Sequence, residues 1–299
     1  MIRPPRLRPG SRVAIVAPAG PVPREPFAAG AAILGARYAL VHDDRIFARS
    51  GFLAGSDDER AGELLRALAD PTIEAIVGAR GGYGLMRIVD RLDGAVLARA
   101  PKAIVGFSDV TVLHAWATRA GVVSIHGPVV TQLSKLPAED ASALFALLES
   151  PAPPPSVTGL RALHPGRAEG RLVGGNLEVL TRLCGTPWAV GLEGAVLLLE
   201  EVGERPYRID RQLTHLALAG AFAGLAGVVV GELSGCVEKD GSGPDAEAVI
   251  AERLARLGVP VVAGAPVGHG ARNRALPLGA RVQLDAGAGS LLLLDAAVE

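Results

Sequence analysis

The sequence predicts an α/β fold, and three observations carry that prediction. Short, continuous apolar runs alternate with amphipathic stretches, the pattern of parallel strands covered on both faces by helices. Each early run ends in glycine or a capping residue and leads into helical spacing. The polar residues that interrupt the pattern, Arg80-Gly81-Gly82, Ser108-Asp109 and His126-Gly127, fall at the carboxyl ends of those runs, where parallel sheets bind ligands.

The elements follow in order. VAIVAP (13–18) reads as a buried first strand. DDERAGELLRALAD reads as a helix with Leu64, Leu65 and Leu68 on its apolar face. EAIVGARGG (74–82), KAIVGFSD (102–109) and GVVSIHGP (121–128) are further strands, each running into a turn. The proline-rich ESPAPPPSVTG (149–159) cannot continue a helix and reads as a linker. Beyond it lie GRLVGGNLEVLTRLCGTPW, a strand AVLLLEEVGE, a helix PYRIDRQLTHLALAG, a strand GVVVGEL, a helix DAEAVIAERLARLG and then VPVVAGAPVGHG. ARVQLDA and SLLLLD close the chain as two strands, turned at Gly287-Ala288-Gly289. The expected division is an N-terminal domain of residues 1–160 and a smaller C-terminal domain of 161–299.

Composition narrows the function. Of 299 residues, 49% are hydrophobic and 20% charged, enough for a large core. A net charge of -1 offers no electrostatic grip on nucleic acid or an anionic membrane, and 4% aromatic residues supply no stacking platform. Cys184 and Cys236 are far apart, which argues against a disulfide framework or a thiolate zinc site and suits a reducing compartment. The apolar run at 13–17 is too short for a signal-peptide core, so a cytoplasmic location is expected. Neither a P-loop nor a G-x-G-x-x-G turn is present, no metal-ligand cluster is visible, and no cofactor is expected.

What remains is serine chemistry. A nucleophilic serine needs a base, a group to orient that base, and N–H donors for the oxyanion. Ser108 stands at a strand-to-helix turn after Gly106, where the following amides point at the same spot. The alternative role for it is a helix cap. Two histidines rival each other as the base: His126 ends a strand, and His269 follows a buried strand between Gly268 and Gly270. Glu200-Glu201 ends another strand, where alternation turns the two carboxylates to opposite sides.

These residues resemble the L,D-carboxypeptidases of peptidase family S66, which include the muramoyltetrapeptide carboxypeptidases. The resemblance rests on ARGGYG (79–84), GFSD (106–109), HGP (126–128), GGNLEVLTRLCGTP (174–187), LEEVGERPYRIDRQLTHL (199–216), GVVVGEL (227–233) and GHGARNRALPLGA (268–280), in the family's order. It implies a Rossmann-like or flavodoxin-like N-terminal domain and a smaller, swivelling-type β/α C-terminal domain, with the active site in the cleft between them. It implies a triad of Ser108, Glu200 and His269, with Glu201 where aspartate is usual. The oxyanion donors would be the backbone N–H of Asp109 and that of Gly81 or Gly82. The implied reaction removes terminal D-alanine from the L,D-tetrapeptide stem of a muropeptide through an acyl-enzyme, in a cytoplasmic homodimer that recycles cell wall.

A carboxypeptidase must also grip a free carboxylate, for which Arg80, Arg208 and Arg211 are candidates, and Tyr83 is a further candidate for substrate binding. Relatives of the same family that act as immunity hydrolases on aminoacyl-nucleotide antibiotics would share the triad. The absence of a long insertion between Trp188 and Val196 favours the peptidase. Two α/β domains also suit a non-catalytic small-molecule binding protein.

Overall fold

The computed structural model describes residues 1–238, 241 and 243–299. In chain order its strands are β1 (Arg12–Val16), β2 (Ala39–Val41), β3 (Ala75–Gly78), β4 (Ala103–Gly106), β5 (Ser124–His126), β6 (Val157–Thr158), β7 (Arg161–His164), β8 (Arg167–Asn176), β9 (Ala195–Val202), β10 (Gly227–Ser234), β11 (Val261–Ala263), β12 (Leu276–Leu278), β13 (Arg281–Asp285) and β14 (Ser290–Leu293). The fold is α/β, as the alternation predicts.

The first sheet has the order β12-β5-β4-β3-β1-β2. Its pairs are parallel from β2 through β5, and β12 alone joins antiparallel. β4 is buried at every residue because it pairs on both sides and carries only Ala, Ile, Val and Gly. The strand LPL at β12 has no counterpart in the sequence reading. It lies at the sheet edge, the one place where a proline such as Pro277 can sit without removing a ladder bond.

The second sheet has the order β6-β14-β13-β8-β9-β10-β11-β7. β8, β9, β10 and β11 are parallel, and antiparallel strands flank them on both sides. The last part of the proline-rich segment is not linker: Val157 and Thr158 pair with β14.

The chain divides into two compact units. One comprises Met1–Pro151, Arg274–Leu278 and Ala296–Glu299; the other comprises Ala152–Asn273 and Gly279–Asp295. The last residues return to the first unit, where Ala297 and Val298 are buried and Glu299 exchanges backbone bonds with Pro4 and Arg6.

The helix expected after residue 56 spans Asp57–Ala69. Ser56 caps it reciprocally: its hydroxyl accepts from the Glu59 N–H at 3.3 Å, and the Glu59 carboxylate accepts from the Ser56 N–H at 2.7 Å. Leu64 and Leu68 are buried as expected, but Leu65 is 39% exposed. The buried stripe runs through Arg60, Ala61, Leu64, Ala67 and Leu68 at helical spacing, and Leu65 lies beside it.

Candidate active site

β4 ends at Gly106, and the chain turns through Phe107 into a short 3₁₀ turn, Ser108–Val110, followed by helix Thr111–Arg119. Ser108 has φ 63°, the one positive value outside glycine among the described residues. A left-handed serine costs on the order of 1 kcal/mol or more, and such strain persists only where surroundings impose it. The turn is tight: a Cβ at Gly106 would lie 2.8 Å from both γ-carbons of Val110. Ser108 therefore does not cap its helix in the ordinary extended conformation; it is displayed at the tip of the turn, half-buried.

The Arg80–Gly84 loop lies against it. A Cβ at Gly81 would lie 2.7 Å from Ser108 Cβ and 2.8 Å from Oγ, so only glycine permits this approach. The Gly81 carbonyl accepts from the Gly20 N–H at 3.1 Å, and Gly82 has φ 118°. Asp109 is buried, and its carboxylate accepts from the Leu85 N–H at 2.9 Å. Burial raises its pKa to about 7, against the opposing pull of that bond and of the Arg60 charge. The loop and the serine turn are thus tied together through Gly81 and Asp109.

In the second unit, β9 runs buried through Glu200 and Glu201. Glu200 is fully buried, and its Oε2 lies 2.7 Å from His269 Nδ1. A carboxylate only accepts, so Nδ1 is the donor of this bond, and the other ring nitrogen, Nε2, is the one turned away from Glu200 Oε2. Glu200 Oε1 meets no hydrogen-bond donor among the described residues. The glycines beside His269 make this approach possible. A Cβ at Gly268 would fall 2.9 Å from Glu200 Oε2, and one at Gly270 would fall 2.5 Å from Glu232 Oε2. Asn273 accepts from the Gly268 N–H at 3.0 Å and fixes the loop.

Glu201 points to the other face. It accepts from Asn176 Nδ2 at 3.1 Å, the Glu178 N–H at 2.7 Å and the Val202 N–H at 2.8 Å. Burial raises its pKa to about 7 despite these bonds. Its work is to hold the start of helix Leu177–Leu183, which Asn176 caps.

Of the other candidates, Arg80 donates to the Pro21 carbonyl at 2.5 Å, and the exposed Tyr83 lies 5.8 Å from the Phe52 ring. Arg208 and Arg211 stand on helix Pro206–Leu218 and line a cavity of about 200 Å³ with Glu178, Arg182, Glu204 and His215. Arg208 is paired with Glu204 at 3.4 Å, and Arg211 lies over the Tyr207 ring at 5.8 Å. His126 is fully buried in a ring cluster with Phe107 and His114. His114 lies between Ser124 Oγ and the Gly106 carbonyl, and burial lowers its pKa to about 4. Arg60, Glu63, Asn176, Glu232 and Asn273 were not singled out from the sequence. Their types are ordinary on a surface, and only burial or contact marks them.

A strained serine at a strand-to-helix turn, and a loop histidine held by a buried glutamate, are the parts of a serine hydrolase. The LD-carboxypeptidase N-terminal domain matches residues 13–127, and the LD-carboxypeptidase C-terminal domain matches residues 169–284. A Streptomyces coelicolor relative, named provisionally as a carboxypeptidase, is 42% identical over 98% of this chain and 96% of its own. The murein tetrapeptide carboxypeptidase of Pseudomonas aeruginosa is 33% identical over 92% and 93% of the two chains. The crystal structure of muramoyltetrapeptide carboxypeptidase from Oxalobacter formigenes superposes with TM-score 0.84 at 32% identity, covering 94% of this chain and 97% of that one. The microcin C7 self-immunity protein MccF shares the fold at TM-score 0.92 and 20% identity, over 100% of both chains. The chain belongs to the LD-carboxypeptidase family and is a carboxypeptidase of the serine class.

Proposed function

We propose that this protein removes the terminal D-alanine from muropeptide tetrapeptides, with Ser108 as nucleophile, His269 as base and Glu200 as the group that orients the base. The observation that carries the reading is the 2.7 Å bond between Nδ1 of His269 and the buried Glu200. With Nδ1 committed to Glu200, Nε2 is the ring nitrogen that takes the serine proton. Ser108 Oγ attacks the carbonyl that joins the L-centre of the third stem residue to D-alanine. The proton passes to His269 and from there to the departing amine. Water then cleaves the acyl-enzyme ester by the same route. A buried Glu200 with one orphan oxygen gains most when its partner becomes imidazolium, so it favours the transition state.

The Asp109 N–H and an N–H of the Gly81-Gly82 segment serve the oxyanion. Arg80, next in the chain to that segment and without a carboxylate partner among the described residues, is the better placed candidate for the substrate's terminal carboxylate; Arg208 already has Glu204. The substrate class is supported by the two relatives named for it. We place the enzyme in the cytoplasm, recycling wall fragments as a homodimer; its two cysteines are free, which suits a reducing compartment. No helix among the described residues is long and apolar enough to cross a membrane.

The whole-chain likeness to MccF, solved with glutamyl sulfamoyl guanosine, supports a second reading as an immunity hydrolase. Incubation with an L,D-tetrapeptide, and separately with an aminoacyl sulfamoyl nucleoside, decides between them. Free D-alanine from the first, lost in Ser108→Ala, is the expected result. No D-alanine, with cleavage of the nucleoside, would overturn it.

A further inference from the structure

Helix Asp57–Ala69 sends two charged side chains inward, toward the backbone that surrounds Ser108. Arg60 has a fully buried side chain. One guanidinium nitrogen, Nη1, donates to the Pro18 carbonyl and, at 3.0 Å, to the Gly84 carbonyl; the other, Nη2, pairs with Asp57 at 2.5 Å. One turn along, Glu63 accepts from the Ala17 N–H at 2.7 Å and pairs with Arg45.

The helix thereby grips two loops, one after β1 and one after β3. Glycine makes room for the grip: Gly84 has φ 137°, and a Cβ there would lie 2.7 Å from Arg60 Nη1. The gripped loops also hold each other, through the Gly20 N–H on the Gly81 carbonyl at 3.1 Å. From Gly84 the chain passes straight to Leu85, whose N–H binds the Asp109 carboxylate. Gly81, three residues before Gly84, presses on Ser108.

A guanidinium suits this task because its planar fork presents several donors in fixed directions, whereas an ammonium is a point charge with no fixed plane. Burying one solely to stabilise the fold would be a poor use of it, since buried ion pairs are weak stabilisers against apolar residues of the same volume.

We propose that Arg60 is a positioning residue for the oxyanion side of the site: by fixing the Pro18 and Gly84 carbonyls it sets the Gly81-Gly82 segment at the distance from Ser108 that the transition state requires. This rests on Ser108 being the nucleophile. The predicted consequence is a loss in kcat with KM little changed, because an oxyanion donor acts mainly in the transition state.

The test uses the full chain and D-alanine release from an L,D-tetrapeptide. Arg60→Lys, Asp57→Asn and Ser108→Ala are measured alongside wild type for kcat, KM and its pH profile, thermal unfolding, and the rate of Ser108 labelling by a fluorophosphonate. Arg60→Lys is expected to fold, to lose roughly ten- to a hundredfold in kcat and labelling rate, and to keep KM within about threefold, with the pH profile unchanged in shape because the base is untouched. Asp57→Asn leaves the guanidinium in place but frees one end, and is expected to lose about three- to tenfold in kcat.

Wild-type kcat in a folded Arg60→Lys would overturn the proposal, as would a loss that appears in KM alone. If Arg60→Lys does not fold, wild-type kcat in Asp57→Asn overturns it. D-alanine release by Ser108→Ala would instead overturn the nucleophile assignment beneath it, so the two failures are distinct.

Discussion

Ser108 carries two demands that conflict. The proposed chemistry needs its side chain at the turn, yet its φ of 63° favours a residue without one. Gly81 resolves part of the conflict by giving up its own Cβ, which would stand 2.7 Å from that of Ser108. Two substitutions separate strain from chemistry. Ser108→Ala removes the proposed nucleophile and keeps the strained Cβ; Ser108→Gly removes both. Both are expected to be inactive, and Ser108→Gly should be the more stable by about 1 kcal/mol in thermal or urea unfolding. Equal or greater stability of Ser108→Ala would show that the turn is not strained.

At the level of elements, β9 ends in two carboxylates that meet different partners. Period-two alternation sends Glu200 to His269 and Glu201 to the cap of helix Leu177–Leu183. Glu200→Gln should keep the imidazole in place but no longer stabilise its cation, lowering kcat/KM by roughly 10²–10⁴ with little change in stability. Glu201→Gln should do the reverse. Both oxygens of Glu201 accept backbone bonds, and an amide replaces one acceptor by a donor, so about 1–3 kcal/mol of stability should be lost with kcat/KM within about tenfold. If the kinetic damage is greater in Glu201→Gln, the strand's facing does not determine the chemistry. Carboxylates at a strand end are ordinarily solvated. Instead both are buried, because β9 has parallel neighbours on each side, β8 and β10.

For the whole molecule, two buried carboxyls set a pH dependence of unusual sign. Burial lifts Asp109 from an ordinary 3.8, and Glu201 from 4.5, each to about 7. The unfolded chain loses these protons at lower pH than the folded chain. Between the two values the folded state binds more protons, so their contribution to stability falls as pH rises and levels off above about 7. Carboxylates held down by arginine act in the opposite sense: Asp210 beside Arg253 and Asp295 beside Arg281 lose their stabilising charge as pH falls below about 4. Urea unfolding should therefore show greater stability near pH 5 than near pH 7.5. Glu201→Gln should flatten that decline. An unchanged slope in the variant would assign the decline to other groups.

The sequence by itself determined the α/β class, the strand-to-helix turn at Ser108 and the interest of His269 and the Glu200-Glu201 pair. All of these are written in local patterns: apolar runs, alternation and glycines beside polar residues. It could not say which strand-end residues meet. Glu200 and His269 are 69 residues apart, and the pairing that joins them depends on the order of strands in the second sheet. Nor did local pattern reveal β12 or the return of Ala296–Glu299, since segments of three or four residues take their structure from the partner they find. Arg60 was the least visible of all. In DDERAGELLRALAD it reads as one more charge on a solvated face. Only the fold places two backbone carbonyls and a carboxylate around it, and a buried guanidinium is stable only where such partners exist.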